Sequence, residues 1–124
     1  MAPHPAPRVL IVADDLIWAS RLTAAAQRAG LRPVPVPDQA ALELQVGEGP
    51  VPAGAVIDLG GHRYDGVAAV TRAAAAGLRV LAVSQHDDLP LRKRALAAGA
   101  RRVLSYNKMH ADGPDVLRRW LDGS

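Results

Sequence analysis

Three prolines at alternate positions, in Leu31-Arg32-Pro33-Val34-Pro35-Val36-Pro37, constrain this chain more than any other feature. The run is extended in character, yet it lacks three backbone donors along one side. Proline has no N–H to give to a neighbouring strand, so such a strand belongs at the edge of a sheet. The rest of the sequence predicts the sheet. Val9-Leu10-Ile11-Val12, Ala55-Val56-Ile57, Val80-Leu81-Ala82-Val83 and Val103-Leu104 are short, apolar and unbroken, as expected of strands covered on both faces.

Helical stretches separate these runs. Leu16, Ala19, Leu22, Thr23 and Ala26 recur at spacings of three and four, predicting a helix from Leu16 to Ala29 that stops at Gly30. Asp38 can cap a helix over Gln39 to Val46, closed by the Gly47-Glu48-Gly49-Pro50 turn. Asp65 can cap another from Gly66 to Ala76, before Gly77. Two more are expected from Pro90 to Ala98 and from Asp115 to Leu121. The order βαβαβαβαβα predicts an α/β domain, a parallel sheet with helices on both faces.

The 124 residues suit one domain, expected over 8–124 behind a disordered lead of residues 1–7. With no Phe, the core must be filled mainly by Val, Leu, Ile and Ala. The absence of cysteine excludes disulfides, thiolate metal sites and a Cys nucleophile, and fits a cytoplasmic location. No run approaches the roughly 18 to 20 apolar residues that cross a bilayer. A net charge of +3 permits attraction to acidic surfaces without demanding nucleic acid.

In open parallel sheets, chemistry gathers at the carboxyl ends of the strands. Here those ends carry Asp14 and Asp15, then Asp58, then Ser84, then the stretch from Tyr106 to Lys108.

These residues resemble the receiver domain of bacterial two-component response regulators, from Arg8 to Leu121. Val9-Leu10-Ile11-Val12-Ala13-Asp14-Asp15 is similar to the family's first strand and acidic pair. Asp58-Leu59-Gly60-Gly61-His62-Arg63-Tyr64-Asp65-Gly66 is similar to its Asp-Leu-x-Met-Pro-x-Met-Asp-Gly. Ser84 stands at the family's Ser/Thr, and Gly99-Ala100 at the Gly-Ala before the last strand. The resemblance implies a flavodoxin-like (βα)5 fold of the CheY-like kind, with strand order 2-1-3-4-5. It also implies a phosphoacceptor, Asp58, and phosphate binding by Ser84. Mg²⁺ would be held by Asp14, Asp58, the Gly60 carbonyl and, less directly, Asp15. A cation there offsets the charge of an incoming phosphoryl group.

Four departures surround that site. Ala13 replaces an acid of the family's pair, which should weaken Mg²⁺ binding. Tyr106 falls where the family has its Lys, and no Pro follows. Val103 replaces the aromatic ring of the family's switch, and Gly61-His62 replaces Met-Pro. Lys108 could substitute for the missing Lys if the strand ran on straight, about 6.6 Å beyond Tyr106 on the same face.

The expected function is therefore an atypical receiver with an impaired phosphorylation switch, acting as a protein-interaction module rather than an enzyme. With no output domain following, it is expected to work in trans. The alternative is a phosphorylatable single-domain regulator that takes phosphate on Asp58 from a histidine kinase. A third reading, a nucleotide or nucleic-acid binder, lacks a glycine-rich phosphate loop and aromatic interleaving. The expected partner face joins the fourth helix, fifth strand and fifth helix, with Arg92, Lys93, Arg94, Arg101, Arg102 and Trp120. Trp120 has a competing reading, packing of the last helix onto the sheet.

Overall fold

Strand β1 (Arg8–Val12) alternates its side chains between two apolar layers, and this sets the architecture. Leu10 and Val12 point into one layer, Val9 and Ile11 into the other. The computed structural model describes residues 6–47 and 49–123. After β1 come α1 (Leu16–Arg28), β2 (Arg32–Val36), α2 (Gln39–Gly47), β3 (Gly54–Asp58), α3 (Gly66–Ala75) and β4 (Arg79–Ser84). The last elements are α4 (Leu89–Ala98), β5 (Arg102–Ser105) and α5 (Tyr106–Asp122). All pairings are parallel, in the order β2-β1-β3-β4-β5. The class, the strand order and the edge position of the proline-bearing strand are as the sequence predicts. Most of the expected lead, residues 1–5, lies outside the described residues, as does Glu48 of the expected turn.

Pro33 and Pro35 occupy the outer side of β2, and Pro37 follows its end. Arg32 donates its N–H to the Pro7 carbonyl at 2.8 Å, and the Val36 carbonyl accepts from Ala13 at 3.2 Å. Residues 32, 34 and 36 thus serve β1, leaving Pro33 and Pro35 facing away.

Helices α2, α3 and α4 cover one face of the sheet through Leu42, Ala69, Val70, Ala73 and Ala95. Helices α1 and α5 cover the other through Leu22, Ala26, Val116, Leu117 and Trp120. Gly54 makes room for the indole: a Cβ there would lie 2.6 Å from the Trp120 ring and 2.8 Å from the Arg79 carbonyl. The Arg79 guanidinium donates to the carbonyls of Trp120 and Leu121, each at 3.1 Å, closing the end of α5.

Two expectations are corrected here. Trp120 is only 2% exposed and belongs to the core, so it offers no anchor to a partner. The last helix begins at Tyr106, nine residues before the predicted Asp115, with Ser105 as its N-cap. Gly113-Pro114 reads as a break in the sequence, because proline disfavours helical backbone in the residue before it. The structure accommodates the pair with a kink at Asp112 inside one helix.

Candidate functional site

Asp14 follows β1, Asp58 ends β3, and Tyr106 begins the helix after β5, so the topology brings all three to one end of the sheet. They line an open cleft of about 610 Å³ together with Asp15, Trp18, Gly60, His62, Arg63 and Gln85.

Asp58 is 2% exposed. Its Oδ1 accepts the Gly60 N–H at 2.9 Å and a short hydrogen bond from the Tyr106 hydroxyl. Burial raises the Asp58 pKa, and the Asp15 and Asp14 charges add to the rise. The Tyr106 and Gly60 donors oppose it without cancelling it. Burial likewise drives the Tyr106 phenol above its ordinary value of 10.0, reinforced by its bond to Asp58 and the Asp58 charge. Tyr106 therefore keeps its proton and acts as a donor. Its ring packs against Trp18, with centroids 4.6 Å apart, and the Arg21 guanidinium lies 5.2 Å over Trp18.

Asp14 is held differently. Its Oδ2 accepts two backbone N–H groups, those of His62 and Arg63, both at 2.6 Å. Desolvation pushes its pKa up, but the two amides, with the nearby His62 and Arg63 side chains acting in the same direction, outweigh it. The net shift is downward. Asp15 turns to the helix, where its Oδ1 caps α1 by accepting the Trp18 N–H at 2.9 Å.

The remaining predicted residues lie elsewhere. Ser84 is 3% exposed and lines a smaller neighbouring pocket of about 260 Å³, with Ser105, His86, Arg92 and Lys108. Its hydroxyl donates to the Gln85 carbonyl at 3.3 Å. Lys108 does not follow Tyr106 along a strand, because β5 ends at Ser105. The chain turns into α5, where the Lys108 ammonium pairs with Asp112 at 2.7 Å. The straight-strand geometry that would have carried Lys108 back toward Asp58 is therefore absent.

The cleft carboxylates are each engaged through one oxygen by the protein's own donors. Ala13 contributes no ligand, and among the described residues no three His, Cys, Asp or Glu side chains converge as metal ligands would.

Two residues of the cleft region carried no role in the sequence reading. Tyr64 is buried, and its hydroxyl lies 2.6 Å from the Asp58 carbonyl and 3.0 Å from that of Val12, tying β3 to β1. Trp18 supports Tyr106. The signal for Tyr64 was its place at the second Met of the motif; for Trp18 it was the three-residue spacing from Asp15.

No protein-family model and no curated protein sequence matches the chain. Solved structures do. A putative response regulator from Chloroflexus aurantiacus superposes with a TM-score of 0.81 at 19% identity, covering 94% of this chain and 98% of that one. The receiver domain of a sensor histidine kinase from Pseudomonas aeruginosa, solved with magnesium in its active-site cleft, gives 0.79 at 20%, covering 96% and 99%. A CheY-like receiver domain protein from Methanospirillum hungatei gives 0.81 at 18%, covering 95% of each chain. The fold is that of response-regulator receiver domains.

Proposed function

We propose that this receiver fold serves as a signalling module that works by binding a protein partner, with its phosphorylation switch impaired. The observation that carries the reading is the hydrogen bond from Tyr106 to Asp58. A phosphoacceptor carboxylate must approach an anionic phosphoryl group, and a cation eases that approach by offsetting charge. A neutral phenol occupies the carboxylate without supplying that charge. The nearest lysine in sequence, Lys108, is paired with Asp112.

The partner face we favour lies along α4 and β5. Arg92, Lys93, Arg94, Arg101 and Arg102 are all exposed there, and no ion pair among the described residues engages them. Arg92 also donates to the Val103 carbonyl at 2.8 Å, which fixes its position. Leu89 and Leu96 are exposed on the same helix, at 59% and 41%. Cations interspersed with leucines suit an acidic protein surface better than a phosphate backbone. A cytoplasmic setting accords with the lack of any described helix long and apolar enough to cross a membrane.

The test is intact-mass spectrometry after incubation with acetyl phosphate and Mg²⁺, beside Asp58→Asn. The expected result is no Asp58-dependent adduct from folded protein. An adduct lost in Asp58→Asn would overturn the reading and establish a phosphorylatable regulator, the alternative that the convergence of Asp14 and Asp58 favours.

A further inference from the structure

We propose that this chain satisfies its cleft carboxylates with its own hydrogen-bond donors in place of a divalent cation. Two glycine–tyrosine pairs hold the cleft in that state. The inference deepens the functional reading above and rests on it only in taking the cleft as the site at issue.

Three carboxylates at adjoining strand ends repel one another, and something must offset them. Here five donors do so: the amides of Trp18, Gly60, His62 and Arg63, and the hydroxyl of Tyr106. The amides of His62 and Arg63 come from the β3–α3 loop and reach Asp14 across 48 and 49 positions of sequence. Such contacts require the loop to be drawn over the cleft.

Gly61 and Tyr64 account for that placement. The Tyr64 phenol is pinned between the carbonyls of Val12 and Asp58. Gly61 lies directly against its ring, where a Cβ would come within 2.2 Å of Cζ and 2.4 Å of the hydroxyl. Any side chain at 61 would force the ring or the loop away. Gly60 makes the same accommodation for Tyr106, since a Cβ there would sit 2.8 Å from its hydroxyl. The two tyrosines of the chain thus seat against two successive glycines. One pair lowers the loop onto Asp14, and the other lets a phenol reach Asp58. The Arg21–Trp18–Tyr106 stack holds the second from outside.

Amide exchange and Mg²⁺ titration of the full chain, both followed by NMR, test this directly. The amides of His62 and Arg63 should be protected, and MgCl2 at millimolar concentration should produce no saturable shift at Gly60, His62 or Arg63. In Asp14→Ala those two amides should exchange about tenfold faster or more, as expected on losing a charged acceptor, while the protection of β3 and β4 persists. Open-loop exchange at His62 and Arg63 in the unmodified protein would overturn the proposal. So would a saturable Mg²⁺ response there, which needs no variant to observe. Failure of the functional reading is separable. A phosphate adduct on Asp58 with the amides protected and silent to Mg²⁺ sinks only that reading; Mg²⁺ binding without an adduct sinks only this one.

Discussion

Tyr106 donates its phenolic hydrogen to the carboxylate of Asp58 across 48 positions of sequence, joining the start of α5 to the end of β3. A phenol cannot take over the work of an ammonium at that place. It satisfies the carboxylate but leaves the negative charge in the cleft. Tyr106→Phe should keep the ring against Trp18 and remove only the donor. The expected cost is about 1.5 kcal/mol, the lower end for a hydrogen bond to a charged group because Tyr106 is partly exposed. Urea unfolding measures it, and unchanged stability would show that the hydroxyl contributes nothing to holding Asp58.

The two aspartates of the cleft should respond to pH with opposite signs. Asp58 is shifted above the ordinary carboxylate value of 3.8, chiefly by burial, so the fold prefers it protonated. Its stabilising contribution is full below 3.8 and is lost as pH rises through its folded-state value. Asp14 is shifted below 3.8, so its contribution is present above that value and is lost as pH falls through its folded-state value. At neutral pH, Asp58→Asn should therefore raise the melting temperature, and Asp14→Asn should lower it. Both differences should shrink below pH 3.8. Melting curves across pH would contradict the assignment if both variants moved in the same direction.

Trp120 gives a third expectation. As a core residue on α5 it should cost about 3 to 5 kcal/mol when cut to alanine, whereas an exposed anchor would cost almost nothing. Gly54→Ala should be destabilising by about 1 to 3 kcal/mol, the usual result of overpacking. One of the two atoms its Cβ would meet first is a backbone carbonyl. Denaturant titration of both variants checks the packing from either side.

Lys108→Ala removes one exposed, helical i,i+4 ion pair. The expected loss is about 0.3 to 0.5 kcal/mol, with no change in the response to acetyl phosphate. A changed response would mean that the ammonium reaches Asp58 after all.

The sheet was legible because its signals are local. Proline at 33, 35 and 37 marks the edge, and short apolar runs closed by Asp14 and Asp58 mark strand ends. Asp65 was legible as a cap for the same reason, and its carboxylate does accept the Ala68 N–H at 3.0 Å. The cleft was less so. The contact of Tyr106 with Asp58 depends on where β5 gives way to helix, and α5 starts nine residues before Asp115 and runs on through Gly113-Pro114, which local propensity does not favour. The loop over Asp14 depends on the fit of the Gly61 backbone against the Tyr64 ring. No spacing rule encodes a fit between a glycine and a ring three residues away.

The row of prolines on β2 bears on how copies of this chain can meet. A strand laid against that side would find carbonyls at Pro33 and Pro35 but no N–H to answer its own acceptors. Such an addition forfeits half the hydrogen bonds of a normal ladder, so this border resists end-on sheet growth in concentrated solution. Among the described residues the other border of the sheet is the four-residue β5, and it carries the exposed Arg102, a charge of the kind that discourages edge pairing. The same residues that position the strand thus also guard the chain against self-templated aggregation.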